Sequence, residues 1–295
     1  MAGAGVRDYK RRIRSVKNTQ QITKAMKMVA AAKLRRAQER AEASRPYTET
    51  LQGTLARLAA VSAETIEHPL LEKREDVRKV GYVVVTGDRG LCGGYNTNII
   101  RAANDAIKHD ERSVEDAIIA VGRKARDFYR KRGNLEAEFI NLGDTVSYAD
   151  AKEIAEYIMN SYENEEVDEV YLVYAQFVNA LRQLPTVTRL LPIETPEQEE
   201  VTEETYVEYI YEPSAKAILV NLLPRYVGSQ VYHVMLESKA SEQGARMTAM
   251  GNATENAGEI IDSLTLEMNK ARQQAITDEL LDIVGGAEAL SKGGK

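Results

Sequence analysis

A single cysteine, Cys92, stands among 295 residues. It excludes a framework of intrachain disulfides and fits a reducing compartment. No apolar run approaches the roughly 20 residues needed to cross a bilayer, and no signal-peptide core precedes a cleavage site, so the chain reads as soluble. Histidine occurs only at His68, His109 and His233. None has zinc-ligand spacing with a cysteine or a neighbouring acid in a recognisable motif, which makes Cys92 a structural residue before a nucleophile. Tryptophan is absent and phenylalanine appears 3 times, against 43% hydrophobic and 28% charged residues. That composition suits one globular domain plus long helices.

What is present begins with charge segregation. Residues 1–45 hold 13 cations against 3 acids, a net of +10, which leaves −16 for the rest of a chain whose total is −6. Tyr9, Ile13, Val16, Thr19, Ile22, Met26 and Val29 repeat at three- and four-residue steps there, and Ala30, Ala31 and Ala32 favour helix. Pro46 interrupts the pattern, which Leu51, Leu55 and Leu58 resume, so a helix is predicted to about Arg57 with a kink possible at the proline. A basic, acid-poor start also fits a transit peptide or a nucleic-acid arm; the continuous seam argues against removal.

The last third carries the strongest pattern. Leu219, Leu222, Tyr226, Leu236, Ala240, Met247, Met250, Ala257, Ile261, Leu264, Met268, Ala271 and Ala275 lie on one heptad lattice. A helix from Ser214 to Val284 would be about 105 Å long, more than any small domain can cover. Its expected partner is the antiparallel N-terminal helix. Gly244, Gly251 and Gly258 follow seam positions at seven-residue spacing and suggest close approach of another backbone. After Ala275 the lattice slips to Ile276, Leu280, Ile283, Ala287 and Leu290, with Leu281 and Val284 on neighbouring faces. A helix apolar on most sides is normally buried, so something outside this chain is expected to enclose it. Pro224 requires either a kink or a later start of the straight helix.

Between the helices, Val80–Thr86 reads as a buried parallel strand, followed by a helix at Asn96–His109, a strand at Ala117–Val121, a helix at Arg123–Arg132, a strand at Leu135–Ile140 and a helix at Asp150–Tyr162. Val167–Phe177 and Thr186–Ile193 close the series as strands. This alternation predicts an α/β fold: a central Rossmann-like domain with one antiparallel edge strand, plus a long antiparallel two-helix coiled coil from the two ends of the chain. The expected boundaries are 1–57 for the first helix, 58–79 for a connection, 80–213 for the α/β domain and 214–295 for the last helix. Pro196 with the glutamates that follow reads as a solvated loop. The turn Thr86-Gly-Asp-Arg-Gly-Leu-Cys-Gly-Gly-Tyr-Asn96 sits where a doubly wound domain binds nucleotides, yet it has neither a dinucleotide fingerprint nor a P-loop lysine. A tight strand-to-helix turn and a phosphate cradle both remain open for it. Asp88 and Arg89 could pair locally or meet a partner.

Four stretches carry more than a generic coiled coil: Ile13-Arg-Ser-Val-Lys-Asn-Thr-Gln-Gln-Ile-Thr-Lys-Ala-Met-Lys-Met-Val-Ala30, Gly87-Asp-Arg-Gly-Leu-Cys-Gly-Gly94, Ser241-Glu-Gln-Gly-Ala-Arg-Met247 and Ile276-Thr-Asp-Glu-Leu-Leu-Asp-Ile-Val-Gly-Gly-Ala287. Together they make the whole chain resemble the gamma subunit of F-type ATP synthase. The resemblance implies a non-enzymatic rotor shaft without cofactor, coupling ion flow through a membrane c ring to conformational cycling of a hexamer of alpha and beta subunits. Implied partners are that hexamer, the epsilon subunit and the c ring, with no nucleic acid. It implies attachment to the membrane through the complex, at the cytoplasmic face of a bacterial plasma membrane rather than in an organelle. By similarity, Arg272, Gln273 and Thr277 would contact a loop of the beta subunit and Met26 with Lys27 a facing segment. Leu280, Ile283 and Val284 would sit inside the hexamer, and Tyr209, Tyr211 and Glu212 at the foot near the c ring and epsilon. Met26 reads equally as seam packing. The chloroplast-type cysteine pair is absent. The competing classes are a nucleic-acid-binding coiled coil with a basic helix and a nucleotide-dependent enzyme.

Overall fold

The computed structural model describes residues 2–61, 68–112, 114–193, 212 and 214–292. The fold resolves into two compact units, Met1–Val29 with Ala249–Lys295 and, separately, Ala30–Thr248. Two helices, α1 (Ala2–Val61) and α5 (Ala215–Lys292), contribute to both. Neither proline ends its helix: Pro46 lies inside α1 and Pro224 inside α5. The α5 helix has 78 residues. The residues 196–211 of the expected acidic loop and foot lie outside the described residues, apart from the exposed Glu212.

The Ala30–Thr248 unit is built on a five-stranded sheet in the order β3-β2-β1-β4-β5. Strands β1 (Lys79–Val85), β2 (Glu115–Val121), β3 (Leu135–Phe139) and β4 (Glu169–Phe177) are parallel, and β5 (Gln183–Leu191) pairs antiparallel with β4. Helices α2 (Tyr95–His109), α3 (Arg123–Tyr129) and α4 (Tyr148–Glu163) make the crossovers. The near-continuous apolar run of β1 is buried on both faces, as a central parallel strand requires. Val80, Tyr82 and Val84 point into a core with Ile99 and Ala103 of α2 and Ala125 and Tyr129 of α3. Val83 and Val85 point the other way, onto Ile154 and Ile158 of α4, Leu219, Leu223 and Val227 of α5, and Leu55 and Leu58 of α1. The long helices thus form one covering layer of the sheet. Each such valine, leucine or isoleucine side chain, taken fully out of water, contributes roughly 1.5–3 kcal/mol.

Local chemistry sets the boundaries. Ser147 and Asp150 form a capping box that starts α4. Gly122 has φ +96°, and a Cβ there would stand 2.2 Å from the Thr86 carbonyl oxygen, so only glycine fits between β2 and α3. Arg74 bonds Asp168 at 2.8 Å and the Val167 carbonyl, while Asp168 also accepts from the Arg78 and Lys79 amides. This network fixes the entries to β1 and β4.

Candidate functional site: an uncovered helix end and a helix clamp

In the unit Met1–Val29 with Ala249–Lys295, α1 and α5 run antiparallel. Lys27 lies against Gly251, Thr23 bonds Thr254 through their hydroxyls at 2.8 Å, and Gln20 lies against Gly258. These pairs keep a nearly constant sum of residue numbers, so Ala2 stands opposite about residue 276. That is where the apolar lattice slips. Ile276, Leu280, Leu281, Ile283 and Val284 are 52–64% exposed, because among the described residues no second helix continues alongside them. Arg272, Gln273 and Thr277 are also exposed, Thr277 returning its hydroxyl to the Gln273 carbonyl at 3.0 Å. Met26 is half-buried and Lys27 exposed.

The seam on α5 is the one its heptads predict: Met250 and Ala257 are buried, and Ile261, Leu264, Met268, Ala271 and Ala275 half-buried. On α1 the expected seam holds at Tyr9, Ile13, Val16 and Met26, which are half-buried, and fails at three positions. Thr19, Ile22 and Val29 face outward, Ile22 at 60% and Val29 at 54% exposure, while Gln20, Thr23 and Ala30 turn inward. The seam there closes partly by hydrogen bonds, Thr23 to Thr254 and the Gln20 amide to the Thr254 carbonyl. With Met28 at 61% exposure, α1 therefore carries its own outward apolar stripe. The glycine stripe also differs from expectation. Gly251 and Gly258 accommodate the Lys27 stem and the Gln20 amide, not a backbone; only Gly244, in the other unit, meets backbone, at Ala180 Cα 3.4 Å from its ideal Cβ.

In the Ala30–Thr248 unit the strand order reverses between β1 and β4, where an open α/β sheet presents its ligand crevice. Here α5 fills that crevice. Tyr95 Oη donates to the Ser238 carbonyl (2.9 Å), Ser241 Oγ to the Ala175 carbonyl (2.8 Å), and the Phe177 amide to Glu237 (3.2 Å). The Glu242 carboxylate, 5% exposed, lies against Gly87 at 3.0 Å from its ideal Cβ, so an anion does occupy the glycine turn, supplied by the chain itself. Arg246 Nη2 at 2.6 Å and Lys239 Nζ at 3.3 Å neutralise it; Arg246 also reaches the Gly90 carbonyl and Lys239 the Gly143 carbonyl. The remaining cavity is about 40 Å³.

Part of the turn is engaged in this grip, while Leu91 at its tip is 65% exposed. Asp88 accepts from the Arg123 amide at the start of α3 and from the Asn141 amide, so it serves the fold; the Arg89 side chain is exposed. Burial pushes the Cys92 thiol pKa up, against the pull of Arg246, and the sulfur accepts from Asn96 at 3.1 Å, which leaves it a poor nucleophile. Glu242, Lys239 and Arg246 were not singled out by sequence reasoning for any role. Their signal is the run Ser238, Ser241, Glu242, Gln243, all buried in a helix whose other inward positions are mostly apolar.

The ATP synthase family model matches residues 5–290. The ATP synthase gamma chain of Desulfitobacterium hafniense is 58% identical over 289 residues, spanning 97% of this chain and 99% of that one, and the one from Pelotomaculum thermopropionicum is 54% identical with the same coverage. Among solved structures, a chain of the Tetrahymena thermophila mitochondrial ATP synthase central stalk and c ring is similar at 25% identity and TM-score 0.58, covering 79% of this chain and 99% of that chain. A chain of the Euglena gracilis mitochondrial ATP synthase shares the fold at TM-score 0.70 and 22% identity, with 99% and 97% coverage.

Proposed function

This chain belongs to the ATP synthase gamma-chain family, and on that premise we propose how its residues engage the rest of the complex. It is a non-catalytic rotor subunit; catalysis is carried by the beta subunits, and nothing in the matches favours the nucleic-acid reading. The α5 segment from Ile276 to Val284 enters the alpha/beta hexamer, with Met26 and Lys27 of α1 and Arg272, Gln273 and Thr277 of α5 touching its loops. The observation that carries this reading is the set of five exposed aliphatic side chains beginning where α1 stops covering α5. Being already about half covered, each would yield roughly 1 kcal/mol on complete burial, on the order of 5 kcal/mol together.

Two kinds of contact then divide the work. Apolar burial is non-directional and changes little as the helix turns within a collar. Charged and amide groups such as Arg272 and Gln273 differ with angle and bias three otherwise equivalent sites toward different conformations, so turning the helix cycles their affinities. Tyr209, Tyr211 and Glu212 would face the c ring and epsilon subunit, at the cytoplasmic face of a bacterial membrane. The test is substitution of Arg272 and Gln273 by alanine: ATP hydrolysis by the assembled alpha, beta and gamma complex should fall while the isolated chain melts unchanged. Unfolding of the isolated chain instead would assign both residues to packing.

A further inference from the structure

A groove of about 760 Å³ opens between α1, α4 and α5, wholly inside the Ala30–Thr248 unit. Its volume falls within the roughly 300–1,000 Å³ of small-molecule sites. Arg40 and Tyr47 come from α1, Tyr148 and Lys152 from α4, Arg225 and Tyr232 from α5, and no carboxylate lines it. Lys152 reaches Glu156 at 3.4 Å, but both side chains are more than half exposed and the pair is weak. Arg40 and Arg225 form no ion pair among the described residues, whereas Arg74, Arg112 and Arg246 each hold a carboxylate. The Tyr148 and Tyr232 rings meet edge to face at 5.7 Å. Tyr148 Oη lies 3.0 Å from where a Cβ on residue 228 would stand, so Gly228 makes room for the ring. Thr48 and Ser229 add hydroxyls 3.3 Å apart.

We propose that this groove binds a nucleoside polyphosphate. Guanidinium groups match phosphate geometry with paired N–H donors, and a planar base can lie against tyrosine rings. Two arginines without an ion pair among the described residues and a weakly paired lysine call for several negative charges, and the aromatic wall calls for more than inorganic phosphate. The site is separate from the exposed α5 segment, and its occupancy does not depend on the rotor reading.

The test is calorimetric titration of the full-length chain with ATP, in parallel with adenosine, inorganic tripolyphosphate and a polyglutamate peptide. ATP should bind at least tenfold more tightly than adenosine or tripolyphosphate and weaken as salt rises. The double substitution Arg40→Ala with Arg225→Ala, both exposed, should lower ATP affinity at least tenfold without moving the melting temperature, and Tyr148→Ala should reduce ATP to the level of tripolyphosphate. Tripolyphosphate binding as tightly as ATP would reduce the groove to a simple anion patch. Polyglutamate binding more tightly than ATP would make it a polypeptide docking face. Either result, or an unchanged double variant, overturns the proposal.

Discussion

Glu242 is the residue through which the glycine turn and α5 hold each other, and its replacement by glutamine isolates the contribution of its charge. The carboxylate takes Arg246 at 2.6 Å and Lys239 at 3.3 Å, with those side chains only 11% and 18% exposed. Breaking a buried ion pair costs about 3–5 kcal/mol when a charge is left unpartnered. Glutamine keeps a carbonyl for Arg246, and Lys239 keeps the Gly143 carbonyl at 2.9 Å, so Glu242→Gln should cost about 2 kcal/mol. Glu242→Ala, which also empties the space against Gly87, should cost about 4 kcal/mol. Hydrogen exchange reads the effect locally: a loss of about 2 kcal/mol corresponds to roughly thirtyfold faster opening of amides in 87–94 and 238–246. A change below about 0.5 kcal/mol in both segments would refute the claim that this carboxylate holds the crevice closed.

Other substitutions separate contact types. Gly251→Ala meets only the Lys27 stem at 3.6 Å and should stabilise the helix by up to about 1 kcal/mol, whereas Gly244→Ala meets Phe177 at 3.3 Å and Ala180 Cα at 3.4 Å and should destabilise; urea midpoints of the two should move in opposite directions. Burial alone would raise the Asp168 carboxyl, but Arg74 and the Lys79 and Arg78 amides outweigh it and hold its pKa below the usual value. Its stabilisation is therefore present above the unfolded pKa of about 3.9 and lost as pH falls through the lower folded value. Asp168→Asn should cost about 3 kcal/mol at neutral pH, and the gap to the unsubstituted chain should narrow in urea titrations as pH is lowered below the unfolded carboxylate value. Leu280→Glu with Ile283→Glu should leave the isolated chain's melting unchanged, since both side chains are mostly exposed, yet abolish assembly with alpha and beta subunits in size-exclusion chromatography.

The elements that one periodicity decides were readable from sequence. The apolar run of β1, the alternation up to β5 and the α5 heptads each lie within a few residues of their expected places, because burial on two faces or on one stripe leaves a direct residue pattern. The α1 seam was misplaced where apolarity and burial part company: Ile22 and Val29 continue the apolar lattice but face outward, while Thr23 and Gln20 face inward because they find hydrogen-bond partners on α5. No periodicity can reveal a partner that lies some 230 positions away in the chain. The same holds for the crevice: the glycine turn reads as a tight strand-to-helix turn before a phosphate cradle, and nothing in its spacing shows that Glu242, some 155 residues later, lies against it. The candidate contacts Arg272, Gln273 and Thr277 rest on the family resemblance alone, and the fold adds only that their side chains are exposed.

The central claim, that α5 turns within the alpha/beta hexamer and so drives or is driven by its catalytic sites, is tested most directly by single-molecule observation. The chain is assembled with alpha and beta subunits fixed to a surface, and a bead is attached through a cysteine introduced in the Ala30–Thr248 unit. ATP should drive unidirectional stepping of the bead that stops when ATP is withdrawn; ATP hydrolysis with the bead stationary or turning equally both ways would contradict the account.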